Sequence, residues 1–302
     1  MESKRDFDVI IIGGSYAGLS AAMALGRSMQ NVLIIDGGLP CNRQTPHSHN
    51  LITHDGEKPS VITEKAKTQV LNYSTVKFHV GQAVSGQKTA RGFEISTQKK
   101  EIFEAKKLIF ATGIKDLMPD IKGFSACWGI SAIHCPYCHG YEYRNQPTGI
   151  LMNGERAFHI ASLVNNLSDR ITIFTSGPAA LSTDQLRRLA KRNINIIEKE
   201  ITELTHENGR LKNVVFNDGE SMALHAIYAS LPFEQQSDIP LALGCEFTEQ
   251  GYIKVDSFQQ TTVKGIFACG DNSNMMRSVA NAIAAGGLAG AMTNREITEE
   301  QF

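Results

Sequence analysis

The sequence lacks an excess of charge of either sign. Its 30 lysines and arginines and 31 aspartates and glutamates leave a net charge of -1, whereas proteins that bind nucleic acid or anionic membranes electrostatically carry a strong basic patch. It also lacks a long uninterrupted apolar run, because glycines and small polar residues break its two uncharged stretches, residues 9–26 and 278–294. We therefore predict no nucleic-acid partner and no membrane association.

Cysteine is also scarce, and only one pair is close in sequence. Of the six cysteines, Cys135 and Cys138 are neighbours and the others are scattered singly, so the disulfide framework of a small secreted protein is not expected. Residues 1–6 carry charges of both signs, unlike the start of a signal peptide. We expect a reduced, cytoplasmic compartment and one working cysteine pair.

That pair lies in Cys135-Pro136-Tyr137-Cys138-His139. Two cysteines at i and i+3 can close a small disulfide, and their thiolates are good attacking and leaving groups. The same five letters fit c-type haem attachment, but that chemistry belongs to exported proteins. A structural zinc site would need a second close pair, and a glutaredoxin-like domain carries Cys-Pro-Tyr-Cys near its own N-terminus. We therefore predict a redox-active pair and no metal site.

The N-terminal region has the pattern of a dinucleotide-binding βαβ unit. An apolar strand over residues 8–12 leads into a glycine turn, a helix over 19–29 and a second strand over 32–35 that ends in an acid. Gly13 would permit the tight turn, Gly18 would let helix and strand pack closely, and Asp36 could bind ribose hydroxyls. Ser15 stands where the pattern has its middle glycine, so it must still let the backbone approach phosphate.

A second such unit follows at a shift of 139 positions, beginning with the strand Gly149-Ile150-Leu151. Several positions that would bind the dinucleotide are replaced in this second unit. Met152 replaces Gly13, Thr175 replaces Asp36, and residues 176–178 offer no lysine or arginine for a 2'-phosphate. Nicotinamide binding and a retained scaffold that merely carries the cysteine pair are both open.

Further elements follow from local patterns. We predict a polar, functional loop over residues 37–57, a helix over 59–73 and a buried strand over 107–110 that ends in Ala111-Thr112-Gly113. A hairpin should turn at 217–219, and strands should cover 252–256 and 265–269, the latter ending at Gly270-Asp271. A helix of very small residues begins at Ser278. Its N-terminus could lie against a planar ring system, or the small residues could serve tight helix packing.

Taken together, these residues resemble the low-molecular-weight thioredoxin reductase family of FAD-dependent disulfide oxidoreductases, over essentially the whole chain. The resemblance implies an α/β fold of two tandem Rossmann-like three-layer domains, the second inserted into the first. Residues 1–116 and 239–302 would form the FAD-binding domain, and residues 117–238 an NAD(P)-binding-like domain that carries the cysteine pair. It also implies a homodimer.

The resemblance further implies a set of site residues. The FAD-binding positions would be Gly13, Ser15, Gly18, Asp36, Asn42, Arg43, Ala111, Thr112, Gly113, Gly270, Asp271, Asn281 and Ala282. Among these, Asp271 would bind the ribitol and Asn281-Ala282 would approach the pyrimidine edge of the flavin. The catalytic residues would be Cys138, which faces flavin C4a, Cys135, which exchanges with the substrate, and the adjacent His139.

His139 departs from typical thioredoxin reductases, which have an acid at that position. Cys-Pro-Tyr-Cys-His looks like the branch that contains gliotoxin-type dithiol oxidases and related bacterial proteins. A histidine there can move a proton to or from the cysteine at near-neutral pH, or it can simply be a polar residue that covers the pair without transferring protons. Because the second βαβ unit lacks several of the residues that would bind the dinucleotide, the resemblance does not imply specificity for NADPH. NAD(P)H is therefore a possible cofactor only.

We therefore expect an FAD-dependent thiol-disulfide oxidoreductase that moves two electrons between flavin, the Cys135/Cys138 disulfide and a partner. The partner would be a thioredoxin-like protein or a small disulfide or dithiol. Two alternatives are a dithiol oxidase that uses dioxygen and a reductase fed by a donor other than NADPH. A flavin-bearing redox sensor without turnover is a third.

Overall fold

The computed structural model describes residues 5–302. Its strands are β1 (Arg5–Ile12), β2 (Val32–Asp36), β3 (Val76–Val80), β4 (Ala83–Thr89), β5 (Gly92–Thr97), β6 (Ile102–Phe110), β7 (Ile114–Asp116), β8 (Ala132–Ile133), β9 (Thr148–Leu151), β10 (Ile171–Phe174), β11 (Asn195–Ile197), β12 (Ile201–Glu207), β13 (Arg210–Phe216), β14 (Ser221–Ala223), β15 (Ala226–Ala229), β16 (Phe233–Gln235) and β17 (Ile266–Ala268). Its α-helices are α1 (Tyr16–Arg27), α2 (Pro59–Leu71), α3 (Phe124–Cys127), α4 (Pro136–His139), α5 (Gly154–Val164), α6 (Thr183–Ala190), α7 (Ile239–Ala242) and α8 (Val279–Gln301).

The described residues form two compact α/β units, both Rossmann-like. Unit 1 contains the residues up to Arg43, then Pro59–Lys115 and Phe233–Phe302. Unit 2 contains Gln44–Lys58 and Asp116–Pro232. The predicted domain boundaries place residues 44–58 with the first domain, whereas this loop packs in unit 2. The mixed α/β class with parallel sheets is confirmed.

In unit 1 a sheet of order β3-β2-β1-β6-β5-β4 is completed by β17, which pairs with β6. β1 pairs in parallel with β2 and β6, β2 with β3, and β17 with β6, while β4 pairs antiparallel with β5 and β5 antiparallel with β6. β5 pairs with the first half of β6 and β17 with its second half. The carboxyl ends of β1, β2, β6 and β17 therefore lie at one edge of the sheet.

The centre of this sheet is buried on both faces. Ile10 stands opposite Leu33 on one side and Leu108 on the other, and all three are at most 3% exposed. The next row, Ile11 with Ile34, is also fully buried. Continuous apolar strands are what a parallel sheet covered on both faces requires, and each such side chain contributes about 1.5–3 kcal/mol to folding.

Helix α8 packs directly on α1 in unit 1. A Cβ on Gly286 would lie 2.1 Å from the backbone oxygen of Ala17, and one on Gly290 would lie 2.5 Å from that of Ala21. The Ser20 hydroxyl donates to the Ile283 carbonyl oxygen at 2.7 Å. The glycines of α8 therefore serve tight helix packing, which was one of the two interpretations of the small-residue helix.

Unit 2 holds a second parallel sheet, of order β11-β10-β9-β15-β8, and an antiparallel sheet of β12, β13 and β14. In the parallel sheet Ile150 on β9 pairs with Ile173 on β10 and Tyr228 on β15, and all three are at most 1% exposed. The repeat of the dinucleotide-binding unit is thus present as a complete β9-α5-β10 unit.

Several local predictions are confirmed, and one is wrong. The predicted helix over 59–73 corresponds to α2, and the hairpin turned at 217–219 joins β13 to β14. The predicted strand over 252–256 is wrong, because Ile253 and Val255 form isolated bridges. The Asp256 carboxylate accepts from the N–H groups of Phe258 and Gln260, which turns the chain there. Within residues 5–302, no helix is both long and apolar enough to cross a membrane.

Candidate active site

The turn between β1 and α1 brings backbone segments unusually close together. Gly13 has a φ of 107°, which L side chains rarely adopt, and a Cβ there would lie 2.2 Å from the Ala111 carbonyl oxygen. A Cβ on Gly18 would lie 1.9 Å from the Gly13 carbonyl oxygen. Any other residue at either position would push β1, β6 and α1 apart, and these contacts explain why both are glycine.

Within the described residues, no side chain caps the N-terminus of α1. Ser15 is the N-cap residue, and its hydroxyl makes no capping hydrogen bond. The first backbone N–H groups of α1 can therefore donate to another acceptor, and the helix dipole favours an anion there. At the end of β2, the Asp36 carboxylate accepts from the Gly14 N–H at 3.0 Å, so the acid lies beside the turn.

The ends of β6 and β17 meet at the same edge of the sheet. The Cys269 N–H donates to the Phe110 carbonyl oxygen at 2.9 Å, immediately before Ala111-Thr112-Gly113 on one chain segment and Gly270-Asp271 on the other. Gly270 has a φ of 88°, and its Cβ position lies 3.1 Å from the Cβ of Ala17 on α1. The structure thus brings Ala111, Thr112 and Gly270 to the glycine turn, and Gly113 and Asp271 follow them directly in the chain.

Asn272, the residue after Asp271, is a polar group that the sequence interpretation missed. It is fully buried, and its amide donates to the Phe110 carbonyl oxygen at 2.8 Å and to the Thr112 hydroxyl at 3.2 Å. Its Oδ1 is buried and has no hydrogen-bond partner among the described residues. Buried polar atoms normally have a partner, so this oxygen indicates a ligand at the strand ends. Its position directly after the predicted Gly-Asp pair was the available signal.

The predicted loop residues Asn42 and Arg43 also belong to unit 1. The Asn42 amide donates to the Tyr16 hydroxyl at 3.3 Å, and that hydroxyl donates to the Pro59 carbonyl oxygen at 3.1 Å. Arg43 donates to the Pro40 carbonyl oxygen at 3.2 Å. Tyr16 therefore holds the start of the loop against α1, a role that the sequence interpretation did not assign.

The first turn of α8 holds Asn281 and Ala282. Ser278 caps the helix by accepting from the Asn281 N–H at 3.1 Å, and the Asn281 side chain donates to the Met276 carbonyl oxygen at 2.9 Å. Ala282 is buried. Both predicted residues are therefore fixed by the cap, while the glycines that pack on α1 come later in the helix.

The cysteine pair lies in unit 2, on the short helix α4. Cys135 is its N-cap residue, and the Cys135 sulfur accepts from the Cys138 N–H at 3.2 Å. Pro136 follows as the first helical residue, where its fixed φ favours a helix start. Both cysteines are reduced and partly exposed, so this helix presents two sulfur atoms side by side.

Cys135 has the protonation behaviour of an attacking thiol. The hydrogen bond from the Cys138 side chain, aided by the backbone N–H groups of Cys138 and Tyr137, lowers the pKa of Cys135 from 9.0 to about 7. Burial instead raises the pKa of the Cys269 thiol to about 12. Near neutral pH, Cys135 is therefore substantially thiolate, while Cys269 stays protonated and inert.

His139 ends α4 directly after Cys138. Burial, and to a smaller extent the charge of His49, lowers the pKa of His139 from 6.5 to about 4. At neutral pH the ring is therefore uncharged and can accept a proton. A group that is neutral and adjacent to a thiol in this way can act as a general base.

The β9-α5 turn of unit 2 differs from the glycine turn of unit 1. Asn153 caps α5, and its Oδ1 accepts from the N–H groups of Gly154 at 2.7 Å and Ala180 at 2.8 Å. Its amide donates to the carbonyl oxygens of Thr175 and Pro178, at 3.4 and 3.0 Å. One side chain thus joins the start of α5 to the loop that follows β10.

The comparison with known families identifies the protein's family. The profile described as pyridine nucleotide-disulphide oxidoreductase matches residues 7–286, nearly the whole chain. The chain belongs to this family. Among the described residues, no cluster of three or more His, Cys, Asp or Glu side chains is placed to hold a metal ion.

Similar proteins in this oxidoreductase family carry thioredoxin reductase names. Thioredoxin reductase tcpT of Claviceps purpurea is 32% identical, over 98% of this chain and 96% of that protein. Thioredoxin reductase sirT of Leptosphaeria maculans is 30% identical, over 95% and 93%. The solved oxidoreductase from Agrobacterium tumefaciens is 36% identical, with a TM-score of 0.91 over 97% of this chain and 99% of that one. The chain is thus a thioredoxin reductase-like enzyme of the family.

FAD is the cofactor of this oxidoreductase, and the residues of unit 1 fit it. The uncapped start of α1 and the glycine turn suit a pyrophosphate. Asp36 lies at the end of β2, where an acidic side chain is required to bind the ribose hydroxyls. The buried Oδ1 of Asn272 is an acceptor that a bound ligand can satisfy. The prediction of an FAD enzyme is therefore confirmed.

The second dinucleotide site of the oxidoreductase fold would lie in unit 2, at the β9-α5 turn and the loop after β10. This second cradle does not fit a nicotinamide dinucleotide. The Asn153 side chain takes the Gly154 N–H that a pyrophosphate would need. In the loop after β10, the Ala179 N–H donates to the Glu198 carboxylate at 2.8 Å, and Glu155 adds a second acid in the first turn of α5. These two carboxylates disfavour a phosphate there, and the nearby cation Arg156, in the first turn of α5, donates to the Ser230 hydroxyl instead.

Proposed function

We propose that this oxidoreductase exchanges two electrons between bound FAD and the Cys135/Cys138 pair, and that the pair exchanges with a disulfide or dithiol partner. The observation that carries the proposal is the cysteine pair of α4, in which Cys138 lowers the pKa of Cys135 to about 7. Such a thiolate is both a fast nucleophile and a good leaving group near neutral pH. The same pair therefore serves electron flow in either direction.

In the reductive direction, Cys135 is the attacking sulfur. Its thiolate attacks the partner disulfide, forms a mixed disulfide and releases one partner thiolate. Cys138 then gives up its proton, attacks the Cys135 sulfur and releases the second partner thiolate. The pair ends as a disulfide, and the partner gains two electrons and takes up two protons.

His139 is the proton-handling residue of this scheme. Because its ring is neutral at pH 7, it can take the Cys138 proton when the internal disulfide forms and return it in the reverse step. FAD, when bound, supplies a two-electron carrier that renews the pair. In unit 1 the residues proposed to hold it are Gly13, Ser15, Gly18, Asp36, Asn42, Arg43, Ala111, Thr112, Gly113, Gly270, Asp271, Asn281 and Ala282.

A second candidate function is dithiol oxidation, in which a dithiol partner reduces the pair and dioxygen or another acceptor takes the electrons. The hydrogen bonds of Asn153 favour this function, because they occupy the second cradle, where a nicotinamide dinucleotide would bind. A reductase fed by a protein donor would be consistent with the same contact.

The remaining assignments extend the family resemblance. We propose that residues 1–116 and 239–302 form the FAD-binding domain and that residues 117–238 form the inserted domain that carries the pair. The partner is a thioredoxin-like protein or a small disulfide or dithiol, as the names of the relatives suggest for those proteins. We further propose a homodimer in the cytoplasm, where the six cysteines of the chain stay reduced.

Anaerobic stopped-flow mixing of the FAD-loaded protein tests these proposals. Mixing with a dithiol such as dithiothreitol should bleach the flavin absorbance, and Cys138→Ser should abolish that bleaching. Mixing with NADPH or NADH should leave the flavin oxidised over the same period. Wild-type bleaching rates in Cys138→Ser would overturn the role of the pair, and rapid bleaching by NADPH would overturn the exclusion of nicotinamide.

A further inference from the structure

The buried amide of Asn272, just after β17, is fixed in one orientation. Its Nδ2 donates to the Phe110 carbonyl oxygen at 2.8 Å and to the Thr112 hydroxyl oxygen at 3.2 Å. If the amide were turned over, Oδ1 would face the Phe110 carbonyl oxygen, and two acceptors cannot form a hydrogen bond. Oδ1 is therefore directed away from this carbonyl, and it has no hydrogen-bond partner among residues 5–302.

Gln235, the last residue of β16, holds the backbone of Asn272. Its Nε2 donates to the Asn272 carbonyl oxygen at 2.9 Å and to the Gly251 carbonyl oxygen at 2.8 Å. The Ile253 N–H donates to the same Asn272 carbonyl oxygen at 2.9 Å. Gln235 Oε1 is buried and also lacks a partner in the part of the chain that the structure describes. The peptide of Asn272 is thus fixed from two sides.

The two amides can accept further hydrogen bonds but cannot donate them. Their amide hydrogens are directed at four acceptors, which are the carbonyl oxygens of Phe110, Gly251 and Asn272 and the hydroxyl of Thr112. A buried acceptor without a partner destabilises a protein. The partner of Asn272 Oδ1 must therefore carry an O–H or N–H group. A pyrophosphate, which only accepts hydrogen bonds at neutral pH, does not meet this need.

The register of the unit 1 sheet shows which part of FAD can supply that donor. The residues that end the buried core of four adjacent strands stand in one row, in the order Ile35, Ile12, Phe110 and Ala268. Neighbouring strands lie about 4.8 Å apart, so about 14 Å separates the end of β2 from the end of β17. Asp36 and Asn272 therefore lie on opposite sides of the glycine turn that follows β1.

This order matches the order of the groups in FAD. Asp36 suits the ribose of the adenosine half, and the turn after β1 suits the pyrophosphate. The ribityl chain is the next group beyond the pyrophosphate, and it carries hydroxyl groups. A cofactor that begins at β2 and crosses β1 therefore brings its ribityl chain to the ends of β6 and β17, where Asn272 lies.

We propose that Asn272 Oδ1 accepts a hydrogen bond from a ribityl hydroxyl of FAD, and that Gln235 is the positioning residue that holds Asn272 in place. The inference rests on the proposed FAD site of unit 1 and not on the exchange chemistry of the cysteine pair. Asn272 contributes affinity for the flavin half of the cofactor and none for the adenosine half. Gln235 acts only through Asn272.

Release of FAD measures this contact without turnover. The full-length protein loaded with FAD is diluted stepwise, and the fluorescence of the released flavin gives the Kd. Asn272→Ala should weaken FAD binding about tenfold, because a ribityl hydroxyl loses its acceptor in a buried site. In this variant the Phe110 carbonyl oxygen still accepts from the Cys269 N–H, at 2.9 Å, so the ends of β6 and β17 stay joined.

A milder variant tests the positioning role. Gln235→Met keeps the length of the side chain but removes both of its hydrogen bonds, and it should weaken FAD binding about threefold. Gln236→Met is the matched control, because the neighbouring Gln236 amide donates to the Ile114 carbonyl oxygen, at 3.3 Å, and not to Asn272. It should bind FAD as the wild type does.

Three further ligands locate the contact within the cofactor. ADP, which carries only adenosine and the pyrophosphate, should compete with FAD with the same Kd in the wild type and in Asn272→Ala. Among FAD analogues that each lack one ribityl hydroxyl, one should bind the wild type about tenfold more weakly than FAD, yet bind Asn272→Ala as tightly as FAD does. FAD methylated at the ring N3 should lose the same factor in both proteins.

The outcomes separate the inference from the proposed function. If the cysteine pair exchanges no electrons with bound FAD, the proposed function fails, and the affinities still decide the role of Asn272. Equal Kd values of the wild type and Asn272→Ala for FAD would overturn the inference, because Oδ1 would then bind an internal water. Equal losses of affinity for ADP and FAD would also overturn it, since a general defect of the sheet acts on both halves. A loss that depends on the ring N3 and on none of the ribityl hydroxyls would overturn the ribityl assignment.

Discussion

Replacing Cys138 by alanine should change the acidity of its neighbour Cys135. The Cys138 side chain makes the largest contribution to lowering the pKa of Cys135 from 9.0 to about 7. Cys138→Ala removes that donor but keeps the backbone N–H bond to the sulfur. The pKa of Cys135 should therefore rise toward 9.0. Cys138→Ser is the matched variant, because its hydroxyl can still donate and should keep the pKa lower.

The magnitude follows from the thiolate fraction. At pH 7 a thiol with a pKa of about 7 is about half ionised, and one with a pKa of 9.0 is about 1% ionised, which is roughly a 50-fold difference in thiolate. A less acidic thiolate is intrinsically more nucleophilic, by about eightfold over two pH units at a Brønsted coefficient near 0.45. Cys138→Ala should therefore react up to about sixfold more slowly at pH 7, yet faster above pH 9.

The assay is alkylation by iodoacetamide, followed by mass spectrometry of the peptide that contains Cys135. Peptide resolution is needed because Cys41 is also exposed, whereas Cys127, Cys245 and Cys269 are buried. The wild-type rate should rise with a midpoint near pH 7. A wild-type midpoint near pH 9, or coincident curves for the wild type and Cys138→Ala, would refute the account of Cys135 given above.

Three further predictions concern stability. Folding lowers the pKa of His139 from 6.5 to about 4, so between these pH values the unfolded chain binds a proton that the folded protein does not. The free energy of unfolding of the wild type should therefore fall by at most about 3 kcal/mol as the pH drops from 6.5 to 4. In urea titrations, His139→Gln should show a smaller fall. Gly286→Ala should cost about 1–3 kcal/mol through overpacking, while Gly287→Ala, whose Cβ would meet a flexible serine hydroxyl at 3.3 Å, should cost nothing measurable. Lys107→Ala should cost about 3 kcal/mol, because this buried lysine pairs with two carboxylates of α8, whereas Lys106→Ala, in a more exposed pair, should cost less than about 1 kcal/mol.

Each of these has a clear contrary result. Parallel pH dependences for the wild type and His139→Gln would show that the histidine is not held neutral by burial. Equal denaturation midpoints for Gly286→Ala and Gly287→Ala would contradict the close approach of α8 to α1. Equal losses for Lys107→Ala and Lys106→Ala would contradict the burial of the Lys107 ion pair.

The local elements of the first βαβ unit could be predicted from sequence because their signals are local. An apolar run, a glycine turn and a strand ending in Asp36 need no distant contact to be recognised. The prediction of a strand over 252–256 failed because the Asp256 carboxylate accepts hydrogen bonds from the backbone N–H groups that follow it and so forms a turn. The alternation of apolar residues does not show whether such a turn or a strand will form.

Residues whose roles depend on distant partners were harder to predict. Asn153 looks like an ordinary helix cap in sequence, and only the fold shows that it also bonds to Ala180 and to the loop after β10. Asn272 likewise gains meaning only when Phe110 and Thr112 are seen to surround it.

The sequence by itself determined the family, the two dinucleotide folds and the cysteine pair, since each is encoded by short-range patterns of glycines, apolar strands and cysteine spacing. Only the tertiary structure decided that residues 44–58 pack in unit 2, that Asn153 occupies the second cradle and that the small residues of α8 serve contact with α1. The physical reason is that these outcomes depend on side chains and backbone meeting across dozens of residues, at distances that the linear order of the chain does not specify.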